Sequence, residues 1–162
     1  MEVLTDDKLK EKQERINKWL NLPLYIAEME YERATFSQRY YNEHSFYSHI
    51  VYDDDRGIIS ETPKVEKIAI NLVDTCAVKD KRIKRIKEQY VLFNECLSYL
   101  PAKELDSLKL RFLAFNSYPV FTTLDEYVCE IIQDIKTATE TDSEIMKQHY
   151  KLKLKNRMEK LK

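Results

Sequence analysis

Residues 62–101 read TPKVEKIAINLVDTCAVKDKRIKRIKEQYVLFNECLSYLP. Thr62 and Pro63 favour a helix start, because threonine caps free backbone amides and proline suits the first helical turn. Apolar residues then recur at alternating steps of four and three, with Lys79 filling the one polar gap, at Val65, Ala69, Leu72, Cys76, Ile83, Ile86, Tyr90, Phe93, Leu97 and Leu100. This spacing predicts one long helix over 63–100 with a coiled-coil-like seam, ended by Pro101. A break near residues 79–80, which would give two antiparallel helices, is the alternative.

Glycine is nearly absent from this chain of 162 residues, since Gly57 is the single one. Dinucleotide-binding folds, P-loops and hairpins with primed turns need glycine where φ is positive or where backbone approaches a ligand closely. The composition therefore excludes those classes and predicts an all-α protein with polar connections.

Charge is distributed unevenly although the formal net charge is only −1. Residues 21–63 contain eight acidic and three basic side chains, residues 79–88 contain six basic and two acidic ones, and residues 145–162 contain seven basic and one acidic. A ligand responds to the nearest face through a screened field, so these local excesses bear on binding more than the total charge does. Residues 79–88 form either a stripe that contacts a nucleic-acid backbone or, as we favour, a solvated face that pairs with the acidic region.

The region before the long helix, residues 1–62, is predicted to contain two helices and a polar connection. The helices cover residues 5–20 and 23–41. One side of the second helix carries Leu24, Ala27, Tyr31 and Ala34. Residues 42–62 are rich in Asn, Asp and Ser, which is typical of loops. The apolar residues within this connection either make a short strand or pack over the helices.

Residues 101–162 are predicted to form a three-helix domain of the helix-turn-helix type. The first helix covers 102–115, and residues 116–119 form a turn. Thr123-Leu-Asp-Glu126 and Thr141-Asp-Ser-Glu144 both have the capping-box pattern, in which a threonine and an acid three residues later satisfy each other's backbone amides. These boxes predict two more helices, of which the last runs to about Leu161.

The last helix is the candidate nucleic-acid interface. Lys147, Lys151 and Lys155 are spaced by four and line one face, whereas Ile145, His149, Leu152 and Met158 are expected to face the core. A cationic helix after a short helix pair is how a helix-turn-helix offers its recognition helix to the major groove. The predicted DNA-binding residues are Thr141, Ser143, Lys147, Gln148, Lys151, Lys155 and Arg111. Thr141 and Ser143 would position a phosphate at the helix start, and Arg111 would add a backbone contact. The alternative is a solvated helix whose lysines complement its own dipole.

The remaining patterns predict no catalytic residue, no metal and no cofactor. Cys76, Cys96 and Cys129 include no CxxC pair and are interpreted as buried reduced thiols. His44 and His49 are five residues apart, which does not place them on one helical face. No nucleophile motif is present, so we do not expect an enzyme. No apolar run approaches the ~20 residues that span a bilayer and no signal peptide opens the chain, so we expect a cytoplasmic protein without a membrane partner.

The order of these segments resembles the RinA-like and ArpU-like late transcriptional regulators of phages that infect Gram-positive bacteria. Ser60-Glu-Thr-Pro63 resembles the family's entry to its long helix, and Leu108-Lys-Leu-Arg111-Phe112 resembles the start of its C-terminal domain, which is similar to region 4 of sigma factors. Thr123–Glu126 resembles the opening of the first helix of the helix-turn-helix, and residues 141–161 resemble the recognition helix. The resemblance covers the chain from about residue 15 onwards.

This resemblance implies a phage-encoded transcriptional regulator that binds double-stranded DNA and contacts the host RNA polymerase in the bacterial cytoplasm. We also expect a homo-oligomer through the seam of residues 65–100, because a two-fold dimer matches a palindromic operator. The alternative function is a helical structural or adaptor protein of phage assembly, which oligomerises through the same helix and binds a protein partner.

Overall fold

The computed structural model describes residues 6–44, 49–61, 64–113 and 121–160. Within these residues the chain forms six α-helices and one antiparallel hairpin: α1 (Asp6–Leu20), α2 (Leu22–Glu43), β1 (His49–Asp53), β2 (Gly57–Glu61), α3 (Val65–Ser98), α4 (Ala102–Leu113), α5 (Thr123–Glu140) and α6 (Glu144–Glu159). The predicted all-α class is confirmed. No helix in the described ranges has the combination of length and apolar character needed to cross a membrane.

Helix α3 is continuous over 34 residues, about 51 Å at 1.5 Å per residue. The prediction of one long helix is confirmed, and the alternative of two antiparallel helices is wrong. Thr62 and Pro63, which were predicted to begin it, lie outside the described residues. Of the predicted seam, Leu72, Phe93, Leu97 and Leu100 are buried, whereas Val65 and Ala69 are exposed. The four buried positions pack within the chain, and association through the rest of the seam stays a prediction.

The hairpin shows that part of the predicted connection is a strand pair. Asp53 pairs with Gly57 across a three-residue loop. The Asp53 carboxylate accepts hydrogen bonds from the backbone amides of Asp55, at 2.9 Å, and Arg56, at 3.0 Å. Gly57 has φ 75°, the left-handed conformation that closes this kind of loop. The single glycine of the chain therefore occupies a position that requires one.

The residues group into two packing units, 1–26 with 84–162 (unit 1) and 27–83 (unit 2). Their boundaries fall inside α2 and α3, whereas the sequence-based division into 1–62, 63–100 and 101–162 followed the ends of the long helix. Unit 1 includes the N-terminus because α1 packs on α5. Lys12 donates to Glu126 at 2.6 Å, and the Cys129 thiol donates to the Lys12 carbonyl at 3.8 Å.

Helix α5 forms the centre of unit 1. Its buried apolar residues lie on one half of the helix: Val128, Cys129, Ile131, Ile132, Ile135 and Ala138. They share one core with residues of α1, the end of α3, α4 and α6. In the same core, the Trp19 and Phe93 rings meet edge to face at 5.4 Å. The opposite half of α5 is polar, with Glu130, Gln133 and Glu140 exposed, so α5 is amphipathic and its wide apolar face must be covered by its neighbours.

The N-cap of α5 lies one residue earlier than predicted. Thr122, not Thr123, is the N-cap, and its hydroxyl accepts from the Asp125 amide at 3.4 Å. The Asp125 carboxylate accepts from the Thr122 amide at 2.9 Å, which completes the capping box. Glu126, the predicted partner, instead pairs with Lys12. The predicted turn at 116–119 lies outside the described residues.

We expect Ile135→Ala to lower the free energy of unfolding by about 2–5 kcal/mol, because Ile135 is fully buried and truncation leaves a cavity. Ile145→Ala is the matched control, since Ile145 is 80% exposed and its truncation should change stability by less than about 0.5 kcal/mol. Urea denaturation followed by circular dichroism measures both. Equal losses would contradict the placement of the core.

Candidate nucleic-acid interface

Helices α5 and α6 are joined by a connection of three residues, 141–143. Thr141 ends α5, and its hydroxyl donates to the Thr137 carbonyl at 2.8 Å. Ser143 is the N-cap of α6, and its hydroxyl accepts from the Met146 amide at 3.4 Å. The predicted capping box from Thr141 to Glu144 is therefore wrong. Both hydroxyls cap helix ends: Thr141 is the C-cap of α5 and Ser143 is the N-cap of α6.

The buried face of α6 differs from the predicted one. Leu154 and Met158 are 4% and 2% exposed and join the core of unit 1. Ile145, His149 and Leu152, which were predicted to face the core, are exposed. Apolar residues occur on two sides of this helix, so the sequence pattern supported either orientation. Contact with α5 buries the side that carries Leu154, and only Met158 among the predicted core residues is confirmed.

This orientation turns the predicted lysine face toward the rest of unit 1. Lys151 donates to Glu88 of α3 at 2.6 Å. Lys147 pairs with Glu144 at 3.0 Å, and this hydrogen bond is the main reason why the pKa of Lys147 is raised. Of the predicted residues on the helix, Gln148 and Lys155 are exposed. The structure thus separates Lys147 and Lys151, which have carboxylate partners, from Lys155.

The acidic residues of α5 that face α6 are also paired. Arg157 bridges Glu130, at 3.1 Å, and Asp134. These carboxylates would repel a phosphate if they were unpaired. Their pairing reduces the negative field beside α6. Glu140 and Asp142, at the connection, are exposed.

The outward side of α6 carries a mixed polar and apolar surface. Its exposed residues are Ile145, Gln148, His149, Leu152, Lys153, Lys155, Asn156, Glu159 and Lys160. Lys153, Lys155 and Lys160 make no ion pair within the part of the chain that the structure describes. His149, Lys153 and Asn156 also line a groove between α5 and α6. Lys153 and Lys160 therefore lie beside neutral polar groups in this groove, whereas Lys155 lines a groove next to α3 together with Lys151.

Arg111 occupies a structural position. Its guanidinium donates two hydrogen bonds of 2.7 Å to the two carboxylate oxygens of Asp125. The Asp125 side chain is 0% exposed and that of Arg111 is 18% exposed. Since both oxygens of a buried carboxylate are held by one guanidinium, this pair ties α4 to the start of α5. The sequence did not predict this ion pair, because the capping-box pattern assigned the capping role to Glu126 and gave Asp125 no role.

The second basic cluster lies along α3. Lys81, Lys84 and Arg85 are exposed. Lys79 lies over the Phe36 ring of α2, with Nζ 4.9 Å from the ring centre. Asp80 within the same run accepts from Arg33 of α2 at 2.7 and 3.1 Å. The prediction paired basic residues of 79–88 with acidic residues of region 21–63. In this ion pair the basic residue, Arg33, is on α2 and the acidic residue, Asp80, is on α3.

The described residues include no candidate metal site, and two of the three thiols are buried. They contain no group of three or more His, Cys, Asp or Glu side chains arranged to hold a metal ion. Cys96 and Cys129 are buried, and burial is the main cause that raises the pKa of Cys96 to about 12 and that of Cys129 to about 11. A thiol with such a pKa is protonated at neutral pH and is a poor nucleophile. Cys76 is half-buried, so the prediction of three buried thiols is correct for two of them.

Comparisons with protein families, with curated proteins and with solved structures find no match to this chain.

We expect Asp125→Ala to cost about 3–5 kcal/mol in the free energy of unfolding, because it leaves the partly buried Arg111 guanidinium without its carboxylate and removes the acceptor of the Thr122 amide in the capping box of α5. Chemical denaturation measures the loss. Asp142→Ala is the control, since Asp142 is exposed and should change stability by less than about 0.5 kcal/mol.

The double variant Arg111→Met with Asp125→Leu should be more stable than Asp125→Ala alone, since it removes both charges together. If Asp125→Ala were as stable as the wild type, the structural role of the Arg111–Asp125 pair would be refuted.

Proposed function

We propose that this protein binds double-stranded DNA through the outward side of α6. The observation that carries the proposal is the separation of charges on this helix. Residues 144–160 contain six basic and two acidic side chains. Three of the basic residues pair with carboxylates of the protein, and Lys153, Lys155 and Lys160 lie exposed without an acidic partner in the described ranges. Phosphates of the DNA backbone would supply the missing anions.

The groups between these lysines suit contacts with base edges. Gln148 and Asn156 carry amides, which pair with the N6 and N7 positions of adenine in the major groove. Ile145 and Leu152 are apolar and exposed, and such side chains contact the methyl group of thymine. The early turns of α6 bury no residue, so they are accessible to a groove. Recognition helices of helix-turn-helix proteins contact bases through their N-terminal residues.

A role in transcription regulation extends this proposal. It draws on the resemblance to the RinA-like and ArpU-like regulators, as does a location in the cytoplasm of a bacterial host. Contact with host RNA polymerase is proposed from that resemblance alone. The proposed site differs from the one predicted from the sequence. Lys147, Lys151 and Arg111 have internal partners and are left out. The residues now proposed to contact DNA include Gln148, Lys153, Lys155, Asn156 and Lys160.

Fluorescence anisotropy with a random duplex of about 30 base pairs, repeated over a salt series, tests DNA binding. We expect log K to fall with log salt at a slope near −0.9 per phosphate contact. Lys153→Glu with Lys160→Glu should weaken binding at least about tenfold, because two phosphate contacts become repulsive.

Lys8→Glu with Lys10→Glu is the matched control. Both of these lysines are exposed on α1, so the control changes the net charge equally while leaving α6 intact. The control should retain most of the affinity. Equal losses in the two double variants would mean that binding follows total charge only, and no binding at low salt would refute the proposed function and favour the helical adaptor protein.

A further inference from the structure

Unit 2 buries little apolar surface of its own. Within its described residues, Leu72 is the single buried hydrophobic side chain. Many large apolar or aromatic side chains are exposed instead: Tyr31, Tyr41, Ile50, Tyr52, Ile58, Val65, Ile70, Val73 and Val78. Extensive exposed apolar surface marks an interaction site.

One exposed stripe has the spacing of a coiled-coil seam. On α2, Ala27, Tyr31, Ala34 and Gln38 follow one another at steps of four, three and four, and all are exposed. We call these four residues the α2 seam. The opposite side of α2 packs on α3, where Arg33 pairs with Asp80 and the Tyr40 hydroxyl donates to the Ile68 carbonyl at 3.2 Å. The α2 seam therefore lies outside the helix pair of unit 2, with a heptad-like period that suits another helix.

We propose that the α2 seam pairs with the α2 seam of a second copy of this chain, in antiparallel orientation. A two-fold axis between residues 32 and 33 places Tyr31 opposite Ala34 of the second copy and Ala27 opposite Gln38. Each layer then combines one large and one small side chain, which keeps the two helices at an even distance. A parallel pair would set Tyr31 against Tyr31 and Ala34 against Ala34, so alternate layers would be overfilled and empty. The α2 seam is thus complementary to a second copy of itself only when the two helices are antiparallel. A two-fold interface requires such self-complementarity.

Charge favours the same orientation. Glu28 and Arg39 lie on the same edge of the α2 seam, near opposite ends of it. The antiparallel pair brings Glu28 of each chain close to Arg39 of the other, twice by symmetry. Within the described residues Glu28 has no ion pair, and Arg39 has only a long one of 3.9 Å to Glu43. Such exposed pairs contribute little energy, but they oppose a wrong alignment of the helices.

This inference goes beyond DNA binding and stands on residues of unit 2 alone. It uses a different surface from the predicted seam of α3, four positions of which are buried within the chain. Dimerisation would give one assembly two α6 helices, which is the usual basis for recognising paired half-sites.

Sedimentation equilibrium of the full chain, from about 1 to 200 μM, tests the pairing. We expect a dimer with a dissociation constant in the micromolar range for a seam of this length. Tyr31→Glu should raise that constant at least tenfold. Tyr52→Glu is a matched control, because Tyr31 and Tyr52 are both 72% exposed and Tyr52 lies on the hairpin. Circular dichroism verifies that both variants remain folded.

A wild-type monomer at 200 μM overturns the proposal. So does a dimer that survives Tyr31→Glu or that is lost equally in Tyr52→Glu. DNA affinity of a monomer would leave the function of α6 standing while the α2 seam fails, so the two proposals are distinguishable.

Cysteine cross-linking tests the orientation, in a Cys76→Ser background that removes the half-buried thiol of unit 2. Chains with Ala27→Cys mixed with chains with Gln38→Cys should form a disulfide-linked dimer under mild oxidation, and neither variant alone should. In the antiparallel pair, identical positions are about 16 Å apart along the axis, which is beyond the reach of a disulfide. Cross-linking of either variant with itself, or none in the mixture, contradicts the proposed alignment.

Discussion

The burial of the wide apolar face of α5 is the constraint on which unit 1 depends. Its apolar residues cover about half of its circumference, and they share one core with residues of α1, the end of α3, α4 and α6. Two polar contacts fix its ends. Asp125, held by Arg111 and by the Thr122 amide, anchors the first turn, and Thr139 accepts a 2.9 Å hydrogen bond from Gln89 of α3 near the last. Buried polar groups with complete hydrogen bonding favour one arrangement of the helices over others.

This arrangement decides which lysines of α6 can meet a ligand. Packing Leu154 and Met158 against the core turns Lys147 and Lys151 toward carboxylates and leaves Lys153, Lys155 and Lys160 outward. The same packing leaves the early turns of α6 exposed, with Ile145 and Gln148 on the surface. The proposed DNA interface is therefore a consequence of how α6 packs on α5. It follows from core residues as much as from the lysines themselves.

The sequence predicted the helices well, because long periodic segments and proline boundaries are strong local signals. Helix α3 and the three helices after Pro101 were anticipated, and the caps of α5 and α6 were displaced by one and two residues. The face of α6 was wrong because Ile145 and Leu152 form a second apolar stripe, and only tertiary contact with α5 selects the stripe of Leu154. The Arg111–Asp125 pair is equally invisible to spacing rules, since its partners belong to different helices. Recognising Leu154 and Met158 as the core face would have pointed to Lys153, Asn156 and Lys160.

The most direct test of the DNA interface is lysine footprinting by acetylation and mass spectrometry, with and without a DNA duplex. We predict that DNA protects Lys153, Lys155 and Lys160, while Lys147 and Lys151, already paired with carboxylates, change little. Lys8 and Lys10 on α1 serve as internal references. Protection confined to Lys81 and Lys84 of α3, or uniform protection across the chain, would contradict the assignment of DNA binding to the outward side of α6.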